Sequence, residues 1–123
     1  MMFPTSAYRM VTWCQFLSIK MLNYDIDATD AGWHEWTALM YATYYDNLVT
    51  VDALLNNGAS VNKLDDENRT SLFIGVQESV SIAVLSSLLN SGADVEQGFR
   101  TYGFTPLMQA STVGYLEAVK LLL

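Results

Sequence analysis

A chain of 123 residues, 51% hydrophobic and 15% charged, is one domain by length and too apolar to remain disordered. Its formal charge is −7, and its six Lys and Arg are scattered. This excludes a phosphate-binding face, makes nucleic acid an unexpected partner and favours a basic or neutral one. Its single cysteine, Cys14, excludes an internal disulfide or a cysteine-built metal cage, and fits a reducing, cytoplasmic compartment.

The N-terminal apolar residues are interrupted by Arg9, Gln15 and Lys20, so they read neither as a leader nor as an anchor. No apolar stretch has bilayer-spanning length, and membrane insertion is not expected. Met10, Cys14, Leu17 and Met21 fall on one helical face, predicting a helix near 6–22 with Cys14 and Trp13 packed inside. Ile26-Asp27-Ala28-Thr29-Asp30 then matches Val61-Asn62-Lys63-Leu64-Asp65 downstream, which makes residues 1–31 an N-terminal capping unit.

From there the chain repeats. A first string opens each unit: TALMYA from Thr37, TSLFIG from Thr70 and TPLMQA from Thr105. Each Thr suits a helix N-cap, and Pro106 suits the first helical position. The small residues Ala42, Gly75 and Ala110 allow close helix packing. A short break follows, as in Tyr45-Asp46-Asn47 and Val113-Gly114-Tyr115. A second helix then carries Val51, Leu54 and Leu55; Leu85, Leu88 and Leu89; or Val119, Leu122 and Leu123. Gly58 and Gly92 stop the first two of these helices. The string LLNNGASVN at Leu54 returns as LLNSGADVE at Leu88, and both this step and that from Leu88 to Leu122 are 34 positions. Such periods mean stacked units.

Each unit is therefore helix, turn, helix, then a protruding loop. The segment GFTPLMQAS…GYLEAVKLLL, with LLNNGASVNKLD and LLNSGADVE, resembles the ankyrin repeat. The resemblance implies an all-α solenoid of stacked helix-turn-helix units with hairpin loops. Its repeats fall at 32–64, 65–98 and 99–123, the last without its exit loop. The tetratricopeptide repeat shares the period, but the Gly-Ala-x-Val exit and Thr-x-Leu entry disfavour it. Met40, Phe73 and Met108 stand where the family often has histidine, so the histidine bond to neighbouring loops is not expected. Repeat one carries two extra residues around Trp33-His34-Glu35, and repeat two one extra near Gln77-Glu78-Ser79-Val80. That extra residue and Gly75, which weakens the first helix of repeat two, together mark repeat two as the most mobile. The chain stops in mid-helix at Leu121-Leu122-Leu123. The expectation is a fragment of a longer protein or, if the chain is complete, self-association through that end.

No catalytic, metal or cofactor set is expected. His34 is the only histidine, which excludes a multi-histidine metal site, and no nucleophile signature accompanies it. No Gly-rich phosphate loop is present. Asp25, Asp27 and Asp30 alternate and Asp65-Asp66-Glu67 cluster. The glycine and closing glutamate of a calcium loop are misplaced, so both groups read as solvated hairpin tips.

The resemblance implies a partner-binding concave surface made of hairpin tips and first helices. Repeat one contributes Trp33, His34, Trp36, Tyr44 and Tyr45 to it. Repeat two contributes Asp66, Glu67, Arg69 and Gln77, and repeat three Thr101, Tyr102, Phe104 and Thr112. Trp36 and Phe104 directly precede a capping Thr, and packing against a neighbouring hairpin is an equal reading for them. The function this implies is a non-enzymatic interaction module, an adaptor or scaffold for a protein or peptide. A regulatory or inhibitory subunit, or the ankyrin domain of a larger protein, is the alternative.

Overall fold

A computed structural model describes residues 26–98 and 103–123. The predicted N-terminal helix, with Cys14 and Asp25, lies outside the described residues, as do Thr101 and Tyr102. Six helices are described: α1 (Ala38–Tyr44), α2 (Leu48–Asn56), α3 (Ser71–Gln77), α4 (Ile82–Asn90), α5 (Pro106–Val113) and α6 (Leu116–Leu122). They pair as α1–α2, α3–α4 and α5–α6, and each pair stacks on the next. Among the described residues no strand forms, and one isolated antiparallel bridge joins Asp30 to Trp36. The protein is an all-α solenoid.

Each first helix starts the same way. The hydroxyls of Thr37, Thr70 and Thr105 accept from the backbone N–H of Met40, Phe73 and Met108 at 3.3, 3.2 and 3.3 Å. In the first unit the Met40 sulfur also accepts from the Thr37 N–H at 3.4 Å, completing a reciprocal cap with a thioether.

The turn between paired helices is also repeated. The N–H groups of Asn47, Val80 and Tyr115 donate to the carbonyls of Ala42, Gly75 and Ala110 at 2.9, 3.0 and 2.9 Å. The residue before each donor is left-handed: Asp46 at φ 55, Ser79 at φ 54 and Gly114 at φ 76. Val80 is thus the equivalent of Asn47 and Tyr115. The extra residue of unit two is Ser81, one place beyond the expected stretch, and it caps α4. Only the third unit uses glycine where the backbone favours it. Ser79→Gly should therefore stabilise the fold by about 0.5–1 kcal/mol, the left-handed penalty less the extra chain entropy of glycine. Urea unfolding checks this, and an unchanged or lower midpoint would show an unstrained turn.

The hairpin loops confirm where repeat one is longer. The Asp30 N–H donates to the Trp36 carbonyl at 2.9 Å across residues 31–35, whereas Asp65 donates to Arg69 at 3.0 Å across residues 66–68. The two extra residues close a tight turn, with Trp36 N–H on the Trp33 carbonyl at 3.1 Å. His34 and Glu35 both sit left-handed there, at φ 55 and 56.

Leu54 and Leu88 are fully buried and Leu122 is partly buried against the same core. Residues 71–76 of α3 are buried throughout. Gly75 has a packing role: a Cβ there would lie 2.9 Å from Leu85 Cδ2 and 3.1 Å from Thr43 Cγ2. The expected mobility of unit two rested on its extra residue and on the weak helix propensity of Gly75. The second ground is offset by packing, because the missing side chain lets α3 close against both α1 and α4. Among the described residues, no helix is long and apolar enough to cross a membrane.

Candidate partner-binding ridge

Units one and two are joined by a buried polar clamp centred on Asp65, whose side chain is 0% exposed. Its Oδ1 accepts the backbone N–H of Glu67 and of Arg69, at 2.9 and 2.8 Å. Its Oδ2 accepts Arg69 Nε–H at 2.8 Å and, from the preceding unit, Trp36 Nε1–H at 3.0 Å. The Arg69 guanidinium lies over the Trp36 ring, 5.7 Å from its centroid, and donates to Gln77 Oε1 at 3.1 Å. Trp36 and Arg69 are only 4% and 9% exposed. The expected place of Arg69 as a surface contact is therefore corrected, and of the two readings of Trp36 the packed one is found. Both precede a capping Thr, and stacking turns them onto one shared carboxylate. Gln77 is partly buried beside them.

Around this clamp the aromatic side chains reach the surface. Trp33, Tyr44 and Tyr45 are 40%, 40% and 43% exposed. Trp36 connects them, with ring centroids 6.4 Å from Trp33 and 5.4 Å from Tyr44; Tyr44 in turn lies 5.1 Å from Tyr45. Beneath them Tyr41 is buried, 5.1 Å from Trp36. Burial, then the Asp30 charge, pushes its phenol above the usual tyrosine range, so it stays neutral. The short loop of the inserted hairpin carries Trp33, and the C-terminal end of α1 carries Tyr44 and Tyr45.

On the hairpin side the ridge becomes acidic. His34 Nδ1 lies 3.1 Å from Asp66 Oδ1 and 3.9 Å from Glu67 Oε1. The Asp66 N–H donates to the His34 carbonyl at 3.0 Å, which locks the two hairpins in register. The imidazole thus faces carboxylates, and no nucleophile is placed against it by these contacts. The third unit is less engaged. Phe104 is partly buried, 6.5 Å and edge-on to Phe73, and serves packing. Thr112 is exposed at the far end of α5, its hydroxyl donating to the Met108 carbonyl at 3.0 Å. The structure therefore gathers Trp33, His34, Tyr44, Tyr45, Asp66 and Glu67 around units one and two.

Residue-type reasoning missed the bonds that carry one unit to the next. Asp27 Oδ1 accepts Ser60 N–H at 2.8 Å, and Asn62 Oδ1 accepts Asp94 N–H at 2.7 Å. These are the same bond one period apart, and the aligned strings held the signal. Asp46 Oδ1 accepts both the N–H and the hydroxyl of Ser81, and Tyr115 donates its hydroxyl to the Val80 carbonyl. Burial pushes the Tyr115 phenol up, with the charges of Glu117 and Asp46 adding to it.

Comparison with known proteins agrees with this geometry. Profiles described as ankyrin repeats match residues 7–98 and 102–123. A mouse protein, "Protein fem-1 homolog A-like", is 34% identical over 97 residues, covering 79% of this chain and 14% of the relative. A putative ankyrin repeat protein of fowlpox virus is 36% identical over 89 residues, 70% of this chain and 26% of the relative. The human "Transient receptor potential cation channel subfamily A member 1" is 38% identical over 72 residues, 58% of this chain and 6% of the relative. The chain thus spans about a quarter or less of these proteins. Ankyrin repeats are generally protein-interaction modules and not typically enzymes. With matched profiles, periodic caps and turns, and three stacked helix pairs, the chain belongs to the ankyrin-repeat family.

Proposed function

We propose that this chain is an adaptor-type module that holds a basic protein or peptide on the ridge of units one and two. The observation that supports it is the exposure of Trp33, Tyr44 and Tyr45, each near two-fifths, around a buried Trp36. Half-exposed aromatics on a rigid base are suited to anchor a partner, because they bury large area while losing few rotors. Asp66 and Glu67 lie beside them, and the net charge of −7 steers a basic segment toward that side. The core of the fold is complete without the three exposed rings.

The test replaces Trp33 and Tyr45 together with alanine and measures affinity for the partner captured from the native source. A loss of at least about 30-fold is expected, the size of one interface hot spot, with the melting temperature held within a few degrees. An unchanged dissociation constant removes the ridge as the site. A second reading, the ankyrin segment of a larger protein, is favoured by the small share of each relative that the chain covers. Sequencing the complete reading frame decides it.

A further inference from the structure

We infer that His34, Asp66 and Glu67 form a binding site for a divalent transition-metal ion of the zinc class, joining the hairpins of units one and two. One donor atom from each residue lies within 4.8 Å of the other two. The pairs from the imidazole Nδ1 are 3.1 Å to Asp66 and 3.9 Å to Glu67. Ligand atoms at about 2.0–2.2 Å from such an ion stand roughly 3–3.5 Å from one another. Side-chain torsions alone close the remaining gap, and the bond from Asp66 N–H to the His34 carbonyl already holds the backbones together.

The donor chemistry selects the ion. An imidazole nitrogen with two carboxylates suits zinc and its neighbours, whereas calcium and magnesium take oxygen sets. The His34 and Asp66 side chains are 41% and 43% exposed, so further positions around the ion face water or a partner's donor. One group opposes the ion. Arg69 Nη2 lies 3.5 Å from Glu67 Oε1, while its Nε is held by Asp65 at 2.8 Å. This makes the site modest in affinity. The set was hidden in the sequence because the carboxylates follow the histidine by 32 and 33 positions, and only the inserted turn of unit one carries His34 across to them.

The test uses the full chain with Cys14→Ser, so that its only thiol does not compete. Zinc chloride is titrated by calorimetry, and nickel chloride by tryptophan fluorescence, since the Trp33 ring lies 5.4 Å from the His34 ring. One equivalent of each metal should bind, with nickel quenching the emission. His34→Ala and the isosteric Asp66→Asn should each weaken binding by more than the roughly 100-fold that losing a mere supporting partner costs at most. Glu117→Gln, at an exposed carboxylate on α6, should change nothing. Both ligand positions are half-exposed, and unchanged melting curves separate ligand loss from unfolding. Absence of binding at millimolar metal, or binding that survives either ligand substitution, overturns the site.

Discussion

Replacing Asp65 with alanine should destabilise the module by about 3–5 kcal/mol, the range for breaking a buried pair from one side. The side chain is 0% exposed and each of its oxygens accepts two hydrogen bonds. Removal leaves the Arg69 guanidinium, 10% exposed, without its main counter-charge. It also strands the Trp36 indole N–H and two backbone donors. Whole domains are stable by only about 5–15 kcal/mol, so the variant should be near its unfolding threshold at 37 °C. Urea unfolding followed by circular dichroism gives the number. Asp66→Ala, one residue along and exposed, is the control, because an exposed pair is worth at most about 1 kcal/mol. A loss below about 1 kcal/mol at Asp65 would mean that Arg69 finds equivalent solvation elsewhere, and the clamp would no longer explain how units one and two are joined.

The contrast between Asp65 and Asp66 also shows where sequence reasoning stops. Both stand in one acidic run that reads as a solvated tip. A three-residue hairpin turns the first carboxylate back onto its own N–H groups and leaves the second outside. That division depends on backbone path, which residue type does not carry. The shared partner of Trp36 and Arg69 was hidden for a related reason. They occupy the same place in consecutive units, and their meeting on Asp65 exists only after the units stack. Features set by local chemistry were legible: the capping threonines, the glycine helix ends and the two extra residues of unit one. The length of that insertion was countable and Trp33 was placed at the surface, but the left-handed pair His34-Glu35 was not legible. Gly75 was legible as a small residue for close helix packing, but which neighbours, Leu85 and Thr43, close on it was not.

Phe73→Ala should cost about 3–5 kcal/mol, and Met108→Ala less than about 1 kcal/mol, although both sit third after a capping Thr. Phe73 is 1% exposed, and its counterpart in unit one, Met40, is 0% exposed. Met108 is 50% exposed. The difference is what covers the position. α1 is covered by α3 and α3 by α5, and Phe73 meets Phe104 of the following unit edge-on at 6.5 Å. In a solenoid of this kind, stability is the sum of weak units and strong interfaces between neighbours, so a side chain contributes chiefly through the next unit. Matched urea titrations of the two variants test that division directly. Equal losses at 73 and 108 would place the stabilisation inside each helix pair, and the stacked layers would then be a consequence of stable units instead of their cause.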